Sequence, residues 1–269
     1  MEQGSLYIVA TPIGNLSDFT QRAIDTLQRV DIIACEDTRV TQKLLNHFGI
    51  NTKTMSYHKF SEKERSIRLL QILQEGKNVA LVSDAGTPLI SDPGSILVEE
   101  VRKQGIKVIP IPGCCALVTA LSALKNDGQF AFCGFFPQKE AEVEMYKKFV
   151  FDFDMVFYES PNRILKSLSI IKKYFGDVKI SFARELTKIY EEIKTSQIDE
   201  MIEYLKNATI KGEFVLVIHK KQSSETNVEY VQHAEKLLKL GYSTKDVSKI
   251  ISAIFDVSKN EVYKNLNLE

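Results

Sequence analysis

The chain has 269 residues, 44% of them hydrophobic, and balances 35 Lys+Arg against 35 Asp+Glu. That length can bury one large core or two modest ones, and the neutral balance excludes a nucleic-acid binder that relies on an indiscriminate positive field. No apolar run reaches the roughly 20 residues of a membrane span, and Met1 to Ala10 lacks the basic start and apolar core of an export signal, so a cytoplasmic location is expected.

In chain order, Leu6 to Ala10, Ile32 to Cys35, Val79 to Val82 and Val108 to Ile111 are short apolar runs. Between them lie helical patterns at Thr20 to Arg29, Thr41 to Phe48, Glu64 to Leu73 and Ile96 to Lys103. Strands alternating with helices at this spacing predict a parallel sheet joined by crossovers. A helix from Cys115 to Leu124 then leads into a second half of different texture. Strands are expected there at Phe130 to Phe136, Met155 to Tyr158, Ile180 to Ala183, Glu191 to Thr195 and Phe214 to His219. Helices are expected at Glu140 to Phe149, Arg163 to Tyr174 and Ile198 to Lys206. The close spacing of Ala183 and Glu192 predicts antiparallel neighbours, hence a mixed sheet. The expected organisation is an α/β fold of two unlike lobes, 1–113 and 114–224, followed by a small helix-turn-helix-like unit at 225–269. In that tail Val228 to Leu240 is stopped by Gly241, and two serine caps, Ser243 with Asp246 and Ser258 with Glu261, precede further helices. The tail holds 6 Lys+Arg against 7 Asp+Glu, which weighs against DNA binding.

Cys35, Cys114, Cys115 and Cys133 form no Cys-x-x-Cys pair, and with only His47, His58, His219 and His233 beside them no metal site is expected. The informative stretches are loops at strand ends, where open α/β folds bind ligands. Ser83-Asp84-Ala85-Gly86-Thr87-Pro88-Leu89-Ile90-Ser91-Asp92-Pro93-Gly94 follows an apolar strand. Its glycines permit close approach, and its prolines stiffen the path. The plainer alternative is a tight turn in which Asp92 caps the next helix. Thr11-Pro12-Ile13-Gly14-Asn15-Leu16 and Pro112-Gly113-Cys114-Cys115-Ala116-Leu117 hold equivalent positions, and none of the three carries a dinucleotide or nucleotide-phosphate fingerprint. Mixed charge gathers at Glu36-Asp37-Thr38-Arg39, Glu159-Ser160-Pro161-Asn162-Arg163 and Arg184-Glu185-Leu186-Thr187-Lys188, with Ser56-Tyr57-His58-Lys59 on a segment between strands. Each of these groups is read either as a catalytic or binding cluster or as surface ion pairing.

Leu6 through Leu16, Glu36 through Arg39, Ser83 through Gly94, Phe157 through Pro161 and Ala183 through Lys188 together resemble the small-subunit ribosomal RNA ribose 2'-O-methyltransferases. These belong within the tetrapyrrole methylase superfamily. The resemblance runs from about Leu6 to His219 and continues into the helical tail. It implies S-adenosylmethionine bound between two unlike α/β lobes, a homodimer, and a small-ribosomal-subunit RNA substrate without membrane or metal. The chain departs from the superfamily at Cys114-Cys115, where relatives carry Pro-Ser, and at Leu124-Lys125-Asn126, where relatives carry a small Ser-Gly pair.

On this resemblance Pro12, Asp84, Gly86, Thr87, Pro88, Ile90, Cys115 and Ala116 are expected at the cofactor. Transfer of a sulfonium methyl to a ribose hydroxyl calls for alignment and for proton removal during attack. Glu36, Asp37, His58, Glu159 and Glu185 are the candidates to orient or deprotonate that hydroxyl. Asn15, Arg39, Arg163, Arg184 and Lys188 are the candidates for substrate contact. Methylation of a corrin or porphyrin precursor and a noncatalytic ribosome-assembly module stand as alternatives. The Thr11 to Leu16 loop, Glu36 to Arg39 and the tail favour RNA.

Overall fold

A computed structural model describes residues 3–125, 128–221, 226–255 and 257–266. Asn126 of the second departure, the adjoining Asp127, and Gln222 to Glu225 where the tail begins lie outside the described residues. The first half runs β1 (Ser5–Val9), α1 (Gln21–Arg29), β2 (Ile32–Cys35), α2 (Thr38–His47), β3 (Lys53–Ser56), α3 (Glu62–Gln74), β4 (Val79–Val82), α4 (Ser95–Lys103) and β5 (Lys107–Ile111). The five strands form an all-parallel sheet in the order β3-β2-β4-β1-β5.

Strands β2 and β4 read as unbroken apolar runs because both sheet faces are covered there. Side chains alternate between the faces, so Ala80 and Val82 join Ala23, Leu27, Ile33 and Leu45 on one side. Val79 and Leu81 join Ala34, Leu69, Leu73 and Leu97 on the other. Strand β3 was not expected from the residues Lys53-Thr54-Met55-Ser56. With Met55 as its only strongly apolar residue, it lacks the signature of a buried strand and forms as the sheet edge beside β2.

The second half runs α5 (Ala116–Ser122), β6 (Phe130–Phe135), α6 (Glu140–Glu144), β7 (Asp154–Glu159), α7 (Ile164–Phe175), β8 (Lys179–Arg184), β9 (Glu192–Gln197), α8 (Ile198–Asn207) and β10 (Phe214–Ile218). Its sheet is ordered β6-β7-β10-β8-β9, with β6 parallel to β7 and every other pairing antiparallel. Arg184 pairs with Glu192 and Ala183 with Ile193, as the mixed-sheet expectation requires. The single helix expected over Glu140 to Phe149 is instead the five-residue α6 followed by a separate 3-10 turn at Lys147–Phe149. No side chain caps α6, and only Val143 of it is buried, so little holds a longer helix together there.

Phe157, Leu168, Ile171, Phe182 and Leu216 share one core on the α7 side of this sheet. Val156, Ala183, Val215 and Val217 face the opposite way, against Leu117, Ala120 and Leu121 of α5. Ile13, Cys115 and Ala116 pack on that second cluster, so the loops of the first lobe reach the second sheet. Helices α9 (Thr226–Lys239), α10 (Thr244–Phe255) and α11 (Lys259–Leu266) close on a core of their own around Tyr230, Ala234, Val247, Ile251 and Val262. No described helix is long and apolar enough to cross a membrane.

Candidate active site

The loops after β1 and β4 are tied to one another by main chain. Thr11 N–H donates to the Gly86 carbonyl at 2.8 Å, and Gly86 N–H returns the bond to Thr11 at 3.0 Å. The Thr11 hydroxyl donates to the Ser83 carbonyl at 3.2 Å, and the Thr87 hydroxyl to the Cys114 carbonyl at 2.9 Å. Three strand-end loops are thereby fastened into one rim. Gly86 has φ +84°, a left-handed conformation that glycine adopts without penalty. Leu89 at +72° and Ser91 at +73° share that region without glycine's freedom, a strain of roughly 1–3 kcal/mol each that recurs at ligand-binding loops.

The rim borders a cleft of about 300 Å³ between the two sheets, within the size range of small-molecule pockets. Ile13, Ala85, Gly86, Thr87 and Ile90 line it from the first lobe, and Cys115 and Ala116 from the segment that enters the second. Phe135, Tyr158, Leu186, Phe214 and Val215 form the opposite wall. Against these apolar and main-chain surfaces stand the carboxylates Glu36, Asp84, Asp92, Glu159, Glu185 and Glu213, with Lys188 as the only cation among the lining residues.

Burial, with that acidic crowding second, raises two of these carboxyls. Burial pushes the Asp92 carboxyl up to about 6, and the negative charge of Glu36 adds to the shift. Burial likewise raises Glu36, helped by the charge of Asp84. Asp84 is anchored by accepting the Asp37 backbone N–H at 3.0 Å, which joins the end of β2 to the glycine loop.

Of the residues anticipated from sequence, Glu36, Asp84, Gly86, Thr87, Ile90, Cys115, Ala116, Glu159, Glu185 and Lys188 line this cleft. The others lie elsewhere. Asp37 accepts three hydrogen bonds from Arg39, which hold its carboxyl down to about 2, and a carboxylate so held is a weak base. His58 does not line the cleft, and its Nδ1 is buried without a hydrogen-bond partner among the described residues. Pro12 lines a neighbouring recess, and Asn15 caps the 3-10 turn Leu16–Asp18 through the Ser17 N–H. Pro88 is outside the lining set. Arg39 lies on an outer groove of α2.

Arg163 and Arg184 are engaged in the second lobe. Arg163 pairs with Glu159 at 2.6 Å, and that carboxylate also accepts the Ser160 N–H at 2.6 Å and the Ser167 hydroxyl at 2.5 Å. Arg184 pairs with Glu192 at 2.5 Å and donates to the Thr209 carbonyl at 2.6 Å. Lys188 pairs with Glu185 at 2.8 Å inside the cleft.

Asp92, Glu213, Tyr158 and Phe135 are cleft residues that sequence reasoning passed over. The plainer alternative for its loop made Asp92 a helix cap, yet the α4 cap position is Gly94, at φ +139°, and Asp92 stands two residues ahead of it in the cleft wall. Phe135 and Tyr158 lie on strands whose aromatic density reads as core.

Residues 5–202 match the family described as Tetrapyrrole (Corrin/Porphyrin) Methylases. The chain is 44% identical to a protein named ribosomal RNA small subunit methyltransferase I from Halalkalibacterium halodurans, covering 97% of this chain and 94% of the relative. The protein of the same name from Escherichia coli O157:H7 is also 44% identical, with the same coverage of both chains. Among solved structures, a diphthine synthase aligns at TM-score 0.63 and 16% identity, over 81% of this chain and 90% of that one. A cobalt precorrin-4 methyltransferase aligns at TM-score 0.56 and 18% identity, over 79% and 94%. At these identities the solved structures speak to the fold.

Proposed function

This chain belongs to the tetrapyrrole methylase family, and we infer that it is an S-adenosylmethionine-dependent methyltransferase acting on the ribose 2'-hydroxyl of a cytidine in small-subunit ribosomal RNA. The observation that carries this reading is the acidic, apolar-walled cleft between the two sheets, in a chain 44% identical over nearly its whole length to small-subunit ribosomal RNA methyltransferases. The residues present fit the cofactor. A space of about 300 Å³ with apolar walls suits its nucleoside. The neighbouring carboxylates suit its cationic sulfonium and ammonium groups, and the absence of a side chain at Gly86 lets a ligand approach the loop closely.

S-adenosylmethionine supplies an electrophilic methyl group when bound. The chain supplies position, charge and a proton acceptor. Gly86, Thr87, Ile90, Cys115 and Ala116 form the wall on which the cofactor lies, with Gly86 keeping that wall free of a side chain. Glu36, with its raised carboxyl, and Glu185 are the sequence candidates left to orient the hydroxyl and take its proton. Asp92 joins them, because a carboxyl near 6 accepts a proton better than an ordinary aspartate does. Glu159 is occupied by three donors and holds β7 to α7.

The proposed working unit is a cytoplasmic homodimer. Ile189 and Tyr190, 94% and 81% exposed directly beyond cleft residue Lys188, are apolar surface suited to a second copy. Parallel methyl-transfer assays on small subunits lacking the mark and on a tetrapyrrole precursor test the substrate. Incorporation into subunits alone supports the reading, and incorporation into the tetrapyrrole alone refutes it.

A further inference from the structure

Three recesses run in series along the first lobe. The main cleft shares Asp84 with a second recess of about 270 Å³ lined by Thr11, Pro12, Gly14, Thr41 and Ser83. That recess shares Lys43 with an outer groove formed by Thr38, Arg39, Gln42, Asn46 and Thr54. Each recess shares a lining residue with the next, and the charged side chains differ in sign between the main cleft and the outer groove. Around the main cleft the charged lining residues are carboxylates apart from Lys188, and they repel phosphate. Among the described residues no carboxylate lines the outer groove, whose cations are Lys43 and Arg39, the latter paired with Asp37.

The groove is built by one face of α2. Arg39, Gln42, Lys43 and Asn46 recur at i, i+3, i+4 and i+7, while Thr41 and Leu45 turn inward and are buried. Arg39 is committed to Asp37, but Lys43 has no carboxylate within salt-bridge distance among the described residues. Gln42 donates to the Asn46 side-chain carbonyl at 2.8 Å, which leaves the amide NH2 of Asn46 and the carbonyl of Gln42 unused by that bond. A lone cation beside a paired amide set matches a phosphodiester next to a ribose or base edge.

We propose that the α2 face holds the RNA strand flanking the target nucleotide, with Lys43 on a phosphate and Gln42 and Asn46 on the adjoining ribose or base. This rests on the methyltransferase reading above. It explains how a neutral protein with an acidic reaction cleft engages a polyanion: the target ribose enters the acidic space, and the backbone beside it is held outside on α2. Lys43 is a positioning residue and touches no reacting atom.

The test is steady-state methyl transfer to small subunits as a function of salt, with wild type, Lys43→Gln, Lys43→Arg, and Lys107→Gln as a charge-matched control on the far end of β5. Cofactor affinity is measured on each by calorimetry. Lys43→Gln is expected to raise KM for subunits about 3- to 10-fold near physiological salt and to lower the slope of log(kcat/KM) against log salt by about 0.7–0.9. It should leave kcat and cofactor affinity within twofold, Lys43→Arg should restore KM, and Lys107→Gln should match wild type. If wild type is active while Lys43→Gln keeps its KM and salt slope, the flanking site is refuted and the methyltransferase reading stands. If Lys43→Gln weakens cofactor binding, or Lys107→Gln gives the same loss, the flanking site is likewise refuted. Wild type without transfer to subunits overturns both.

Discussion

Glu36 at the end of β2 and Asp92 in the loop after β4 face the same cleft, and the charge of Glu36 adds to the burial that lifts the Asp92 carboxyl to about 6. The pair joins two loops 56 positions apart in the sequence. It stores unfavourable negative charge where the cofactor would place positive charge.

The first prediction concerns pH. A cation favours ionised Asp92, so S-adenosylmethionine affinity should fall about 3- to 10-fold as pH drops from 7 to 5, with protons released on binding near pH 6. Asp92→Asn should flatten that profile in calorimetry. Stability of the free protein should run the opposite way. Because the folded site holds the Asp92 proton more tightly than the ordinary 3.8, this group's contribution is full below 3.8 and is lost as pH rises through about 6. A cofactor affinity that does not change over this interval would detach Asp92 from the cofactor site.

Gly86→Val should weaken cofactor binding at least tenfold in a protein that still folds. The cost is conformational, about 1–2 kcal/mol or more for a β-branched residue at φ +84°. A valine Cβ meets only Ile13 at 3.4 Å and the Cys114 carbonyl at 3.8 Å, both ordinary contacts. Calorimetric affinity equal to wild type would show that the loop does not form the cofactor site.

Glu159→Ala should act on stability ahead of chemistry. It removes the acceptor for Ser160, Arg163 and Ser167 and leaves the Arg163 guanidinium without its carboxylate, a loss of about 2–4 kcal/mol. Denaturant unfolding checks this. A variant with unchanged midpoint and abolished turnover would restore Glu159 as a base candidate.

How much of this was legible in the sequence follows from where the signals are local. Val79 to Val82 and Phe214 to Ile218 are unbroken apolar runs, and each is a fully buried strand. The glycine and proline loop at 83–94 stood out through its own composition, and its Gly86, Thr87 and Ile90 line the cleft. Lys53 to Ser56 gave no apolar run because an edge strand buries little. Arg184 and Glu192 sit eight positions apart, but their pairing depends on the β8-β9 register that brings them together. The engagement of Arg163 and the exposure of Asp92 to the cleft are likewise properties of three-dimensional neighbours, and a sequence pattern carries no record of them.

Removal of residues from Glu225 onward should raise KM for small subunits severalfold and leave cofactor affinity within twofold. Its described helices close on their own core around Tyr230 and Ile251, so the lobes retain theirs. Equal KM with and without the tail would exclude it from substrate engagement.

The most direct measurement of the account is nucleoside analysis of ribosomal RNA after unmarked small subunits are incubated with the protein and S-adenosylmethionine carrying a labelled methyl group. Label is expected in 2'-O-methylcytidine, approaching one per subunit. Label on a base, or no label in the RNA from protein that binds the cofactor saturably, would contradict it.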